Sequence, residues 1–285
     1  MYIFSHPKWL NQSIYPYNTA AEIPQSVFDD INQRLDQLTS KQPVISIVIP
    51  AFNEEKNILG CIASLSRTTT KLPFEIIVVD NNSTDKTADI LRKLHVQYLF
   101  EMRKGPGPAR QLGQESAKGK YVFTADSDCF YPPKWIDIMY RHMEKPGVVM
   151  AYGTFCFIES KEAPRYKLYL YETLRNVMAE VRHLKRPHLN TFMINTAYRR
   201  DLGVQIGFDL RNVRGEDGRM CFDLAQHGKI DKVRSAEARA WTWQRTISQD
   251  GALSQSIMKR VFKELGRMFQ YFKKQAPHDT KSSQN

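Results

Sequence analysis

No stretch of this chain reaches the roughly 18 consecutive apolar residues that a membrane-spanning helix needs, so none is expected. The N-terminus, MYIFSHPKWLNQS, lacks the charged, then apolar, then small-residue order of a signal peptide. A cytoplasmic protein is the expectation. Cysteine is scarce: Cys61, Cys129, Cys156 and Cys221 are far apart and form no C-x-x-C. Neither a zinc site nor a disulfide framework is indicated, and buried free thiols are expected. The glycines form no G-x-G-x-x-G, and no G-K-[ST] follows them. The dinucleotide fingerprint and the Walker A loop are therefore both absent. Internal repeats and long low-complexity linkers are missing too, and only the last ten or so residues read as disordered.

What is present is 42% hydrophobic and 25% charged residues, enough apolar side chains for a core in a chain of 285. Net charge is +11, and its location is informative. Residues 161–200 hold nine Lys/Arg against three Asp/Glu, a net +6; residues 251–285 hold seven against two, a net +5. The rest of the chain is neutral. A basic total can mean nucleic acid. Here the charge lies on two segments of helical apolar pattern, which favours an anionic lipid surface, and no nucleic acid is expected.

Short β-branched runs alternate with helical patterns. VISIVIP (44–50), FEIIVVD (74–80), 96–100, YVFTA (121–125) and 148–153 read as strands. Helices are expected over 24–38, 54–65 and 85–94, from Pro106 or Pro108 to about Ala117, and after Pro132 or Pro133. That order predicts an α/β domain with a largely parallel sheet, whose ligands sit outside the C-terminal strand ends. Asn53, Glu54, Asp80, Asn81, Asp126 and Asp128 all fall just past strand ends.

The segment YVFTADSDC (121–129) closes an apolar run with Asp126 and Asp128, one residue apart. Side chains at i and i+2 share a face of a strand, so both carboxylates can converge on one hard cation, Mg²⁺ or Mn²⁺. A solvated turn is the alternative. Arg103 to Arg110 is a basic, glycine-containing loop that opens a helix, able to hold phosphate through N–H groups and charge; a plain turn is again the alternative. Gly215-Glu216-Asp217 puts two carboxylates at a helix start, where the macrodipole alone favours them.

ISIVIPAFNEE (45–55), IIVVDNNSTDKT (76–87), KGPGPARQLG (104–113), ADSDC (125–129), GFD (207–209) and GED (215–217), in that order, resemble the family 2 glycosyltransferases. The similarity covers roughly residues 44–245. It implies the GT-A fold, a Rossmann-like, mostly parallel sheet flanked by helices. It also implies an N-terminal extension (1–43) and a transferase domain (44–250) with a nucleotide half (44–130) and an acceptor half (131–250). A basic amphipathic helix and tail (251–285) follow. The implied activity is inverting transfer of a sugar from a nucleotide-diphosphate donor, UDP- or GDP-linked, to a glycan or lipid-linked acceptor of the cell envelope. By the same resemblance Pro50, Ala51, Asn53, Glu54, Asp80, Arg110, Asp126 and Ser127 meet the nucleotide, and Asp126 and Asp128 hold the metal. The catalytic base lies in GED, with Asp217 the first choice and Glu216 the second. Arg245 is a candidate for the diphosphate. Processive members carry Q-x-x-R-W after the base; Trp241-Thr242-Trp243-Gln244-Arg245 departs from it, which disfavours a processive synthase. Trp241 and Trp243 either line an acceptor site or sit in the core.

Two further stripes stand out. Tyr166, Leu170, Leu174, Val177, Val181 and Leu184 fall on one helical face, as do Ile257, Val261, Leu265, Met268 and Phe272. Each is accompanied by Lys and Arg. Packing on the domain and shallow insertion into an anionic membrane both fit. Two rivals remain. A nucleotidyltransferase on a similar sheet wants a glycine-rich first turn, and Pro50 to Glu54 has no glycine. A non-catalytic lipid- or nucleic-acid-binding module does not need Asp80, Asp126, Asp128 and Asp217 at one sheet edge.

Overall fold

The computed structural model describes residues 2–17, 19–161, 163–211 and 215–243. Arg245 and the stripe at 257–272 lie outside the described residues, as does the side chain of Glu216.

The chain begins with a short 3₁₀ turn and helix α1 (Gln25–Leu38). It then alternates β1 (Ile45–Ala51), α2 (Ile58–Leu65), β2 (Phe74–Asp80), α3 (Thr87–Leu91), β3 (Gln97–Phe100), α4 (Pro106–Ser116) and β4 (Tyr121–Ala125). A short β5 (Cys129–Phe130), α5 (Trp135–Met143), β6 (Val148–Tyr152), β7 (Phe155–Phe157) and the long α6 (Arg165–Lys185) follow. The last elements are β8 (Asn195–Arg199), α7 (Arg200–Ile206), α8 (Glu216–Leu224), β9 (Lys229–Lys232) and β10 (Ala240–Thr242).

Seven strands form one sheet in the order β3-β2-β1-β4-β8-β6-β9. β1 pairs in parallel with β2 and with β4, β2 with β3, and β6 with β9; only β8 runs against its neighbours β4 and β6. A second sheet, β5-β10-β7, lies apart from it. β1, β2 and β4 read as unbroken apolar runs because helices cover both faces. The polar exceptions inside them are satisfied: Ser46 donates its hydroxyl to Glu75 at 2.6 Å, and Glu75 also accepts the Lys118 N–H at 2.8 Å.

Within the segment 1–43, read above as an N-terminal extension, helix α1 packs on the main core. Phe28, Ile31 and Leu35 of α1 are fully buried there, and Thr39 bridges to Phe74. The helix expected from Glu54 begins at Ile58, after a turn. On α6 the two readings of the stripe part, and much of it is open to solvent. Its buried positions are Arg165, Leu168, Glu172, Met178 and Ala179, while Leu170 (72% exposed), Val177 (58%) and Leu184 (80%) face outward. No helix among the described residues is long and apolar enough to cross a membrane.

Candidate active site

The C-terminal ends of β1, β2 and β4 open on one cleft of about 410 Å³. Pro50, Ala51 and Glu54 line it from the β1 end, and Asp126, Ser127 and Asp128 from the β4 end. The opposite wall is Asn81 with Lys104, Gly105 and Pro106 at the start of α4. Two of the first helical residues, Pro106 and Pro108, have no N–H, so Gly107 carries the free donor of that terminus. Gly105 precedes them at φ +122°, a conformation that favours glycine.

Arg110, one turn into α4 and 7% exposed, organises the cleft floor. Its Nη2 donates to Asp126 Oδ1 at 3.3 Å and its Nη1 to Asp217 Oδ1 at 3.0 Å. Asp217 Oδ2 accepts the Met193 N–H at 3.2 Å. One guanidinium thus ties the end of β4 to the first turn of α8, and Arg110 itself lies 107 positions before Asp217 in the chain. The loop after β4 is pinned by Tyr131: the Asp126 N–H meets its hydroxyl at 2.8 Å, and that hydroxyl donates to the Ile194 carbonyl at 2.8 Å.

Asp126 keeps 33% of its side chain open to the cleft. Burial of the rest pushes its carboxyl up to about 6; Arg110 opposes the shift, and the Asp128 and Asp217 charges add to it. Asp126, Asp128 and Cys129 each offer an atom within 4.8 Å of the others. The Cys129 thiol donates to Asp128 Oδ1 at 3.1 Å, and burial raises its pKa, so it is a thiol and not a thiolate ligand. Two carboxylate oxygens crowded without full solvation are the donor set that fits a hard divalent ion such as Mg²⁺ or Mn²⁺.

Two nucleotide candidates lie away from the cleft lining. Asn53, at φ +53°, accepts the Thr84 N–H at 2.7 Å and donates its own N–H to Ser83 Oγ at 3.0 Å, joining the loops after β1 and β2. Asp80 is 1% exposed and accepts from the Ser83 N–H (3.0 Å) and the Tyr98 hydroxyl (3.2 Å). Glu54 borders the cleft and accepts from Asn57 at 2.7 Å. Trp241 is a core residue on β10, 2% exposed, and Trp243 packs on the same cluster. The sequence reading gave no role to Asn81, Tyr131 or Met193. Asn81 carried the signal of a polar residue at a strand end. Tyr131 and the Met193 N–H carried none.

A sequence profile described as Glycosyl transferase family 2 matches residues 46–207. Glycosyltransferase AglE of Haloferax volcanii is 32% identical over 127 residues, 42% of this chain and 42% of that protein, so the match spans under half of the relative. Two solved structures share the fold. The mannosyltransferase PcManGT of Pyrobaculum calidifontis, in complex with GDP-Man and Mn²⁺, superposes with TM-score 0.57 at 15% identity, covering 88% of this chain and 72% of that one. Glucosyl-3-phosphoglycerate synthase of Mycobacterium tuberculosis, in complex with Mn²⁺, UDP and phosphoglyceric acid, gives 0.53 at 21% identity, covering 88% and 87%.

Proposed function

This chain belongs to glycosyl transferase family 2, and from that premise we propose that it transfers a sugar, with inversion, from a UDP- or GDP-linked donor to a hydroxyl of a glycan or lipid-linked acceptor. The observation that carries the reading is Arg110 joined at once to Asp126 and Asp217. It sets a donor-side carboxylate and an acceptor-side carboxylate on either side of one cation. A molecule of nucleotide-diphosphate size suits the cleft between the ends of β1, β2 and β4.

In this reading residues 44–130 hold the donor and 131–250 the acceptor. Pro50, Ala51 and Glu54 flank the nucleotide. Asp80 keeps further lone pairs for a base N–H. The Gly107 N–H at the start of α4 and the charges of Lys104 and Arg110 receive the diphosphate. Asp126 and Asp128 would hold Mg²⁺ or Mn²⁺, which when bound neutralises diphosphate charge; the Mn²⁺ complexes of the two structural neighbours support this choice. Asp217, oriented by Arg110 and the Met193 N–H, takes the proton of the attacking hydroxyl. The single displacement it serves inverts the anomeric carbon. The exposed stripe of α6 and the cations beside it bring the enzyme to an anionic membrane face.

Release of free nucleotide from a panel of UDP- and GDP-sugars, with Mn²⁺ or with EDTA, tests the reading. Asp128→Ala should abolish turnover and metal-dependent donor binding. Asp217→Asn should keep donor binding and lose about 10²–10⁴-fold in kcat. Full turnover in EDTA, an undiminished Asp217→Asn enzyme, or retained anomeric configuration by NMR would sink it.

A further inference from the structure

We propose that Tyr131 is a positioning residue of the transfer site: its hydroxyl is inserted between β4 and β8 at Asp126 and so sets the metal-binding carboxylate against the base. This rests on the transferase reading above.

β4 and β8 pair antiparallel, with Thr124 opposite Thr196 and Ala125 opposite Asn195. The next pair in that register is Asp126 and Ile194. Opposed residues of an antiparallel ladder can exchange direct N–H···O=C bonds. Here the Tyr131 hydroxyl stands between the two. It accepts the Asp126 N–H at 2.8 Å and donates to the Ile194 carbonyl at 2.8 Å. Two bonds in series thus replace one, at the point where β4 reaches the cleft. Both backbone groups stay paired while the chains part.

The phenol is held in one orientation. Tyr131 is 1% exposed, and its ring packs on Trp135 with the centroids 4.4 Å apart. Its own N–H goes to Ser64 Oγ at 3.0 Å. Trp135 is fixed in turn by its indole N–H, which donates to Asn195 Oδ1 at 2.8 Å.

The segment that Tyr131 holds off β4 also carries the support of the base. The Met193 N–H donates to Asp217 Oδ2 at 3.2 Å, and the buried Met193 sulfur accepts from the Thr196 hydroxyl at 3.2 Å. Asp217 reaches back through Arg110 to the Asp126 carboxylate. The result is a closed circuit: Asp126, Arg110, Asp217, residues 193–194, Tyr131, and Asp126 again. Its two halves differ. The Arg110 half engages Asp126 Oδ1, an oxygen that a divalent cation would also draw on. The Tyr131 half takes only the Asp126 N–H and leaves the carboxylate alone. Tyr131 is therefore the tie that keeps the two sides in register when a cation occupies Asp126. Groups that orient a metal-binding carboxylate from behind tune affinity in this way.

Tyr131→Phe keeps the ring and removes the inserted oxygen. The rung then closes, or its two backbone groups go unpaired, and Asp126 shifts in either case. The test is Mn²⁺ binding to the purified full chain, read by electron paramagnetic resonance of the free ion, alongside kcat at saturating Mn²⁺ and donor. Tyr131→Phe should raise the Mn²⁺ Kd about 10- to 100-fold and lower kcat by about 10-fold. Tyr121→Phe removes a hydroxyl from the opposite end of β4, where it meets Glu144, and should change neither. In the Asp217→Asn background, Tyr131→Phe should still weaken Mn²⁺ binding but cost little further kcat, since the base it positions is gone. A Tyr131→Phe chain that fails to fold, or that folds and binds Mn²⁺ as the wild type does, overturns the proposal and leaves the transferase reading standing. A wild type that neither binds Mn²⁺ nor releases nucleotide overturns both.

Discussion

Asn81, one residue past β2, uses its whole amide to hold the loop that walls the cleft. Nδ2 donates to the carbonyls of Glu101 (3.2 Å) and Arg103 (2.6 Å), and Oδ1 accepts the Gly105 N–H at 2.7 Å. Its own N–H reaches the Ala51 carbonyl at 2.7 Å, so the same residue ties β1's end to the loop. Removing the amide leaves buried backbone groups unpaired, each worth about 1–3 kcal/mol. Asn81→Ala should therefore lower the melting temperature and weaken donor binding more than it lowers kcat at saturating donor, because Lys104 and Gly105 lose their anchor. Calorimetry with a donor titration checks this, and an unaltered donor Kd would contradict it. The carboxylates were legible in the sequence because their positions past apolar runs are a local signal. Tyr131 and Met193 were not, since a hydroxyl under a loop and a backbone N–H facing Asp217 exist only once distant segments meet. Asn53 shows that a polar residue at a strand end can also tie two loops together.

At the scale of elements, β1, β2 and β4 were readable because strands buried on both faces are continuous apolar runs. β8 and β9 were not. NTAYR and KIDK are short and polar, and they pair only because β4 and β6 already present edges. The stripe on α6 left two readings open for a related reason: periodicity finds an apolar face without saying what it meets, and the face this helix buries includes Arg165 and Glu172 as a pair. Helix α4 is seated by contact with the sheet. A Cβ on Gly113 would lie 2.3 Å from Val48 Cγ1 and 3.3 Å from Val79 Cγ2. Valine in a strand has little rotamer freedom to give way. Gly113→Ala should push α4 outward, cost about 1–3 kcal/mol, and displace Arg110, one turn away on the same face. A fall in kcat together with a lower melting temperature is expected. A variant as stable and active as wild type would show that Arg110 does not depend on this seating.

For the molecule as a whole, charge and exposed apolar surface coincide. Leu170, Val177 and Leu184 stand open on α6, and Lys167 and Lys185 beside them are exposed too. The 251–285 segment carries its own net +5, so laying it along α6 would set like charges together. An anionic lipid surface meets both features: each cation near such a leaflet contributes up to about 1 kcal/mol, and the apolar side chains insert at shallow depth. Sedimentation with anionic liposomes at low salt should therefore capture the protein, with less captured by neutral liposomes or at high salt. Leu170→Asp combined with Val177→Asp should weaken that capture while leaving the free energy of unfolding within about 1 kcal/mol of wild type, since both side chains are already solvated. If the stripe is instead covered by another part of this chain, the same pair of substitutions should destabilise the fold markedly, and no liposome binding should be seen with the wild type.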